Sequence, residues 1–220
     1  MIQDIIKDIR KQCRLAMNGV TSTSMRQKGL SYKINFGLSF QQIKDLAQRY
    51  EPNAELAETI WREDTRELKI LATLLYPLPE FTKEVADRWV SEIPNQEIRE
   101  QICFNLFQNL LFANELVSLW GDDDKEEIRT TGYWLLARLS VQKLLGSVKS
   151  DDFRYLLVDV ATDNISLRNA ATLALKHIGR QSKDEADAIL KKLSIEIKDD
   201  LIEQEVYNSL DFEFSYYFDN

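Results

Sequence analysis

What most constrains this chain is a helix-start signal that keeps returning, each time followed by an apolar stripe of helical period. "SFQQIKDLAQRY" offers Ser39 with Gln42, "DTRELKILATLLYP" offers Asp64 with Glu67, "SKDEADAILKKL" offers Ser182 with Glu185, and "DLIEQEVYNSL" offers Asp200 with Glu203. In such a capping box the first side chain accepts a hydrogen bond from the amide three residues on, and the residue there reaches back. Between starts, apolar residues recur at i, i+3, i+4 and i+7, as in Leu167, Ala170, Ala171, Ala174, Leu175 and Ile178. No segment alternates with the period of a strand for long enough to compete. Seven glycines and four prolines in 220 residues keep the breaks short, so successive helices become antiparallel neighbours. The expected fold is all-α, about a dozen helices without a sheet, in a single domain over residues 1–220.

Loose internal repetition narrows the architecture. "DDDKEEIRTTGYWLLARLS", "SDDFRYLLVDVATD" and "SLRNAATLALKHIG" share a polar-to-apolar layout without sharing identities. Degenerate helix pairs stacked side by side give a HEAT-like repeat solenoid, in which each pair buries its apolar face on its neighbours and leaves a concave face for a partner. A plain helical bundle is the alternative.

Charge and composition exclude several classes. A net charge of -8 argues against a strongly basic nucleic-acid clamp, while a local basic face survives an acidic total. The apolar runs are too short for a bilayer, and "MIQDIIKDIRKQ" is charged where a signal peptide needs an apolar core. The expectation is a cytoplasmic chain with no membrane contact. Cys13 and Cys103 lie in helical patterns without metal-ligand spacing and read as buried, reduced thiols. His177, the one histidine, closes a helix, where positive charge complements the dipole. Trp61, Trp89 and Trp134 read as packing residues, and Trp120 ends a helix before Gly121. No phosphate loop, zinc pattern or nucleophile elbow occurs, so neither cofactor nor metal is expected. The acidic, aromatic end "DFEFSYYFDN" reads as a cap on the last repeat, with docking to a partner as its alternative.

"AELAETIWREDTRELKILATLL" (54–75) carries a Leu-Ala pair, a Trp and a helix of the Arg-Glu-x-Lys-x-x-Ala type. It is accompanied by "YKINFG" (32–37), "DRWVSEI" (87–93), "QICFNLF" (101–107) and "RNAATLALKHIGR" (168–180). Five fragments that follow one another in the family's order along the chain resemble the DNA alkylation repair proteins, the AlkD-like HEAT-repeat DNA glycosylases. That resemblance implies a curved helical solenoid that wraps duplex DNA and excises cationic alkylpurines, such as 3-methyladenine or 7-methylguanine. It also implies two concave-face tryptophans, an Asp and an Arg that act at the deoxyribose without drawing the base into a pocket, unlike the usual extrusion route. The chemistry is coherent, because aromatic faces hold a cation and a carboxylate stabilises a developing oxocarbenium ion.

Matched position by position, the first Trp falls on Gln96, the Asp on Glu100, the Arg on Thr130 with Arg129 beside it, and the second Trp on Leu173. At about 100° per residue, all four positions point away from the apolar stripes. Lys28, Lys33, Arg66, Lys69, Arg129, Arg168 and Lys176 are the expected phosphate contacts. The expectation is a monomer that binds duplex DNA, alkylated or otherwise damaged, with glycosylase activity weak or lost. A HEAT-type protein-interaction scaffold, favoured by the acidic net charge, is the alternative.

Overall fold

A computed structural model of the chain describes residues 2–196 and 201–219. Among them are thirteen α-helices: α1 (Ile2–Leu15), α2 (Gly19–Gln27), α3 (Phe40–Ala47), α4 (Ala54–Trp61), α5 (Arg66–Leu75), α6 (Lys83–Ser91), α7 (Gln96–Asn105), α8 (Ala113–Gly121), α9 (Glu126–Val141), α10 (Leu156–Asp159), α11 (Ile165–Gly179), α12 (Lys183–Glu196) and α13 (Leu201–Asp219). An isolated bridge between Ile34 and Thr65 is the β-type pairing seen, so the all-helical expectation holds.

Local chemistry starts these helices, though not always as the sequence implies. At α3 the box is complete: the Gln42 amide donates to Ser39 Oγ at 3.3 Å, and the Ser39 amide donates to Gln42 Oε1 at 2.8 Å. At α12 half of it forms, with the Glu185 amide donating to Ser182 Oγ at 3.2 Å. The Glu185 carboxylate instead accepts from the Ser150 amide and hydroxyl at 2.9 and 3.0 Å. The Asp64–Glu67 box is absent. Thr65 is the N-cap of α5, Asp64 accepts from the Lys33 amide at 3.2 Å, and Glu67 is turned inward. Asp200 lies outside the described residues.

Contacts divide the chain into two compact units, residues 1–110 and 111–220. In the first, α3, α5 and α7 pack in sequence, with α4 on α5 and α1 on α4. In the second, α9 lies against α8 and α11, and α11 against α10, α12 and α13. A register runs through both. Side-chain bonds link residues 31 apart at Trp61–Glu92, Trp89–Glu58 and Arg66–Glu97, 32 apart at Asn105–Thr73, 30 apart at Arg129–Asp159 and 33 apart at Arg180–Glu213. A spacing this constant is the mark of stacked helical repeats, each touching its neighbour at equivalent places.

Two helices are covered on more than one side. Nine of the ten residues of α5 are buried, as are ten of the sixteen in α9. A helix in this position must bury its polar side as well, and every polar group there needs a partner. This decides the fate of several candidate residues below.

Close approach of α8 and α9 depends on Gly132. A Cβ there would lie 2.6 Å from the Gly121 nitrogen and 2.8 Å from the Trp120 carbonyl carbon. In an open helix Gly→Ala gains about 1 kcal/mol. Here the added methyl meets backbone, so Gly132→Ala is expected to cost about 1–3 kcal/mol, the scale of an overpacked core. A fall in the urea midpoint checks this sign, and a rise would show that the two helices separate freely.

Candidate nucleic-acid interface

The stripe Ile98, Ile102, Cys103, Leu106 and Leu110 is buried as the spacing predicts. On the other side of α7, Gln96 is half-buried and Glu100 exposed. They are joined to each other: Gln96 Nε2 donates to Glu100 Oε1 at 3.0 Å, and Arg99 Nη1 donates to Gln96 Oε1 at 2.7 Å. The amide is therefore oriented from both ends, donor toward the carboxylate. The same i, i+4 spacing sets Phe104 on this stripe, a residue that position-by-position matching does not reach.

The second unit differs from expectation. Thr130 is 2% exposed and its hydroxyl donates to the Glu126 carbonyl of its own helix at 2.7 Å. It does not face solvent, because α9 is covered on both sides. Leu173, on α11, is half-buried. Arg129, the neighbouring alternative, is also buried: its Nε and Nη2 donate to the two oxygens of Asp159 at 2.7 and 2.8 Å, and its Nη1 donates to the Asp123 and Asp124 carbonyls. Hydrogen bonding to Asp159 raises the Arg129 pKa above the usual guanidinium range despite burial.

Three of the seven expected phosphate contacts are thus committed inside the protein. Arg66 is 4% exposed and its guanidinium donates to Glu97, to Glu67 and to the Leu38 carbonyl. Lys69 is 8% exposed, donates to the Trp61 carbonyl at 2.7 Å and lies 4.7 Å over the Trp61 ring. Burial pulls its ammonium below the usual lysine range. Arg129 is the third. Lys176 is paired with Glu213 at 2.5 Å, and Arg168 Nη1 donates to the Thr162 carbonyl at 2.9 Å. Lys28 and Lys33 are exposed, with no ion-pair partner among the described residues.

The remaining aromatic and titratable residues mostly pack. Trp61 and Trp89 stack at 4.1 Å, nearly parallel, and both are fully buried. Trp120 is buried, while Trp134 is half-buried with an indole N–H that meets no acceptor. Burial, then the Arg180 and Lys176 charges, lower the His177 pKa to about 4. The imidazole is therefore neutral at pH 7, and the expected dipole pairing by a charged His177 does not operate. Cys13 and Cys103 are free and buried, and burial pushes the Cys13 thiol up to about 12. No helix among the described residues is long and apolar enough to cross a membrane.

Stacked helical repeats that buried ion pairs tie together at a spacing near 31 residues place the chain in the class of HEAT-like repeat proteins. A solved structure described as a new family of proteins related to the HEAT-like repeat DNA glycosylases, with affinity for branched DNA structures, superposes with a TM-score of 0.66. It covers 93% of both chains at 15% identity, which shows a common fold. No curated protein sequence matches the chain. The family model described as DNA alkylation repair enzyme matches residues 17–200, and the chain belongs to that family.

Proposed function

We propose that this protein binds duplex DNA at branched, alkylated or otherwise distorted sites, and that its alkylpurine N-glycosylase activity is weak or lost. One observation carries the reading. Of the four positions matched to the family's excision residues, only Glu100 presents a charge-stabilising group to solvent. Departure of an N3- or N7-alkylpurine builds positive charge on the deoxyribose, and each cation–π contact holding such a lesion is worth about 0.5–2 kcal/mol. Gln96 and Leu173 supply none, and Thr130 is hydrogen-bonded inward. The loss corresponds to a reaction slower by about tenfold to a thousandfold. The fold shared with a protein described as having affinity for branched DNA supports recognition of DNA shape over lesion chemistry.

The test measures release of 7-methylguanine and 3-methyladenine from methylated duplex, beside binding to a four-way junction and to linear duplex. The expected result is little or no release, and tighter binding to the junction. Affinity is expected to fall with salt, and Lys28→Glu with Lys33→Glu lowers the log–log salt slope by about 2, near 0.9 per lost phosphate contact. Rapid release by the wild type that disappears in Glu100→Gln overturns the reading. Undetectable DNA binding at low salt favours a protein-interaction scaffold instead. That second reading has its own support in α13, where Phe212 and Tyr216 stack at 6.5 Å while both remain well exposed on an acidic helix.

A further inference from the structure

We propose that the protein associates head to tail with a second copy of itself, the acidic, aromatic helix α13 of one copy docking into a basic, apolar groove between α1 and α3 of the next. The proposal is independent of the DNA-binding reading above. End helices of a repeat array have no neighbour on their outer side and need polar surfaces there to stay soluble. Both ends of this chain depart from that rule. At the end of α1 and the start of α2, Leu15, Met17 and Val20 are exposed, and on α13 Leu201 and Phe212 are exposed. Beside Leu15 the surface opens into a groove of about 300 Å³. Leu38 and Leu46, both buried, form its floor; Gln12, Leu15 and Ala16 line the α1 side, and Gln42, Asp45 and Arg49 the α3 side. A dry cavity of about 150 Å³ suffices to hold benzene, so the groove admits a phenyl ring. The α1 segment is tied to the chain on either side of α3, by Tyr50 Oη donating to Asp8 Oδ2 at 2.7 Å and by the Asn18 amide donating to the Phe36 carbonyl at 2.8 Å. The groove therefore exists before any partner arrives, and docking needs little reordering.

Charge selects the occupant. Lys11, Arg14 and Arg49 are exposed around the groove, with no ion-pair partner among the described residues. The nearby carboxylates are already engaged, Asp45 by Gln41 at 2.7 Å and Asp8 by Tyr50 and Gln12. A basic rim on a chain of net charge -8 favours an acidic segment, and α13 is one: it holds five carboxylates and no Lys or Arg. Glu213 is committed to Lys176 and Arg180, but Glu205 and Asp211 are exposed. At about 100° per residue, Leu201, Glu205 and Phe212 fall within about 40° of one another, so one face of α13 presents apolar anchors and a carboxylate together. Phe212 stacks on Tyr216 at 6.5 Å and is still 73% exposed. It is the side chain that the groove receives, while Glu205 and Asp211 meet the cationic rim. Each copy offers a different surface to the contact, so copies add one after another instead of closing as a two-fold pair.

The test is sedimentation velocity without DNA, across protein concentration at low and moderate salt. The monomer expected from the sequence prevails in dilute solution, and the average mass is expected to rise with concentration, less so in salt, which screens exposed charges beyond about 10 Å at 0.1 M. Arg49→Glu and Phe212→Ser, both at exposed positions, are each expected to weaken association about thirtyfold, the scale of losing an interface anchor, with unchanged circular dichroism. Mixed in equal amounts, the two variants are expected to form a one-to-one dimer, because the first retains α13 and the second retains the groove. Leu15→Ser with Asp211→Lys supplies a second complementary pair on the same two surfaces. A single-chain mass at every concentration and salt overturns the proposal, as does association that survives either substitution, or a mixture of folded variants that stays monomeric.

Discussion

Glu67→Ala is expected to destabilise the first unit by about 3–5 kcal/mol, the scale of stranding two backbone amides, at about 1–3 kcal/mol each, in a buried site. Glu67 is fully buried. Its carboxylate accepts from three successive amides, Phe36 at 3.0 Å, Gly37 at 3.1 Å and Leu38 at 3.3 Å, and from Arg66 Nη1 at 3.1 Å. The substitution strands the Phe36 and Leu38 amides, leaves the Gly37 amide on Asn35 Oδ1 at 2.8 Å, and leaves Arg66 with Glu97 and the Leu38 carbonyl. It also frees the strap formed by residues 34–38, whose path is set elsewhere by the Ile34 amide on the Asp64 carbonyl and the Arg66 amide on the Ile34 carbonyl. Gly37 sits in that strap at φ +74°, where a Cβ would lie 2.2 Å from the Asn18 carbonyl oxygen, so the chain has little room to rearrange. Thermal unfolding followed by circular dichroism is expected to move down by about 6–20 °C, taking 2–4 °C per kcal/mol. Glu67→Gln keeps acceptor capacity through its one carbonyl oxygen and is expected to lose less. A midpoint within a degree of wild type for Glu67→Ala would show that the strap holds without this carboxylate.

The role of Glu67 marks where local reading of the sequence stops. Its spacing from Asp64 is that of a capping box, and the helix does begin there, but the residue's partners lie about thirty positions upstream. Ser39 and Gln42, by contrast, complete their box with each other, and the Leu167–Ile178 stripe is buried as spaced. Periodicity reports which side of a helix is apolar, not how many neighbours will cover the other side. This is why Gln96 and Glu100, on α7, stay near the surface while Thr130, Arg66 and Arg129, on the doubly covered α9 and α5, do not. The repeat period is hidden for a related reason: the links at this spacing are Trp61–Glu92, Thr73–Asn105 and Arg129–Asp159, so spacing recurs where identity does not.

The corresponding result in the second unit is that Asp159→Ala costs about 3–5 kcal/mol, and that Arg129 acts through stability, not through DNA. Asp159 is 4% exposed and accepts three hydrogen bonds: two from the Arg129 fork at 2.7 and 2.8 Å, and one from Tyr133 Oη at 2.9 Å. Arg129 in turn donates through Nη1 to the Asp123 and Asp124 carbonyls, both at 3.0 Å, and its guanidinium lies 4.3 Å over the Tyr155 ring. One pair therefore ties the segment leading into α9 to α10, a repeat further on. Removing the carboxylate leaves a desolvated guanidinium and a buried phenol without an acceptor, two penalties of the expensive kind. Removing both charges at once, as in Arg129→Met with Asp159→Leu, is expected to cost less than the sum of the single changes, because no buried charge remains unpaired. A lysine at 129 keeps the charge but not the planar fork, and is expected to fall between. Unfolding midpoints of wild type, Arg129→Met, Asp159→Leu and the double variant measure the coupling, and junction binding measured on the same samples separates the two roles. Variants that keep their midpoint yet lose DNA affinity would show that Arg129 contacts the nucleic acid after all; lowered midpoints, with affinity retained by the protein that remains folded, are the expected outcome.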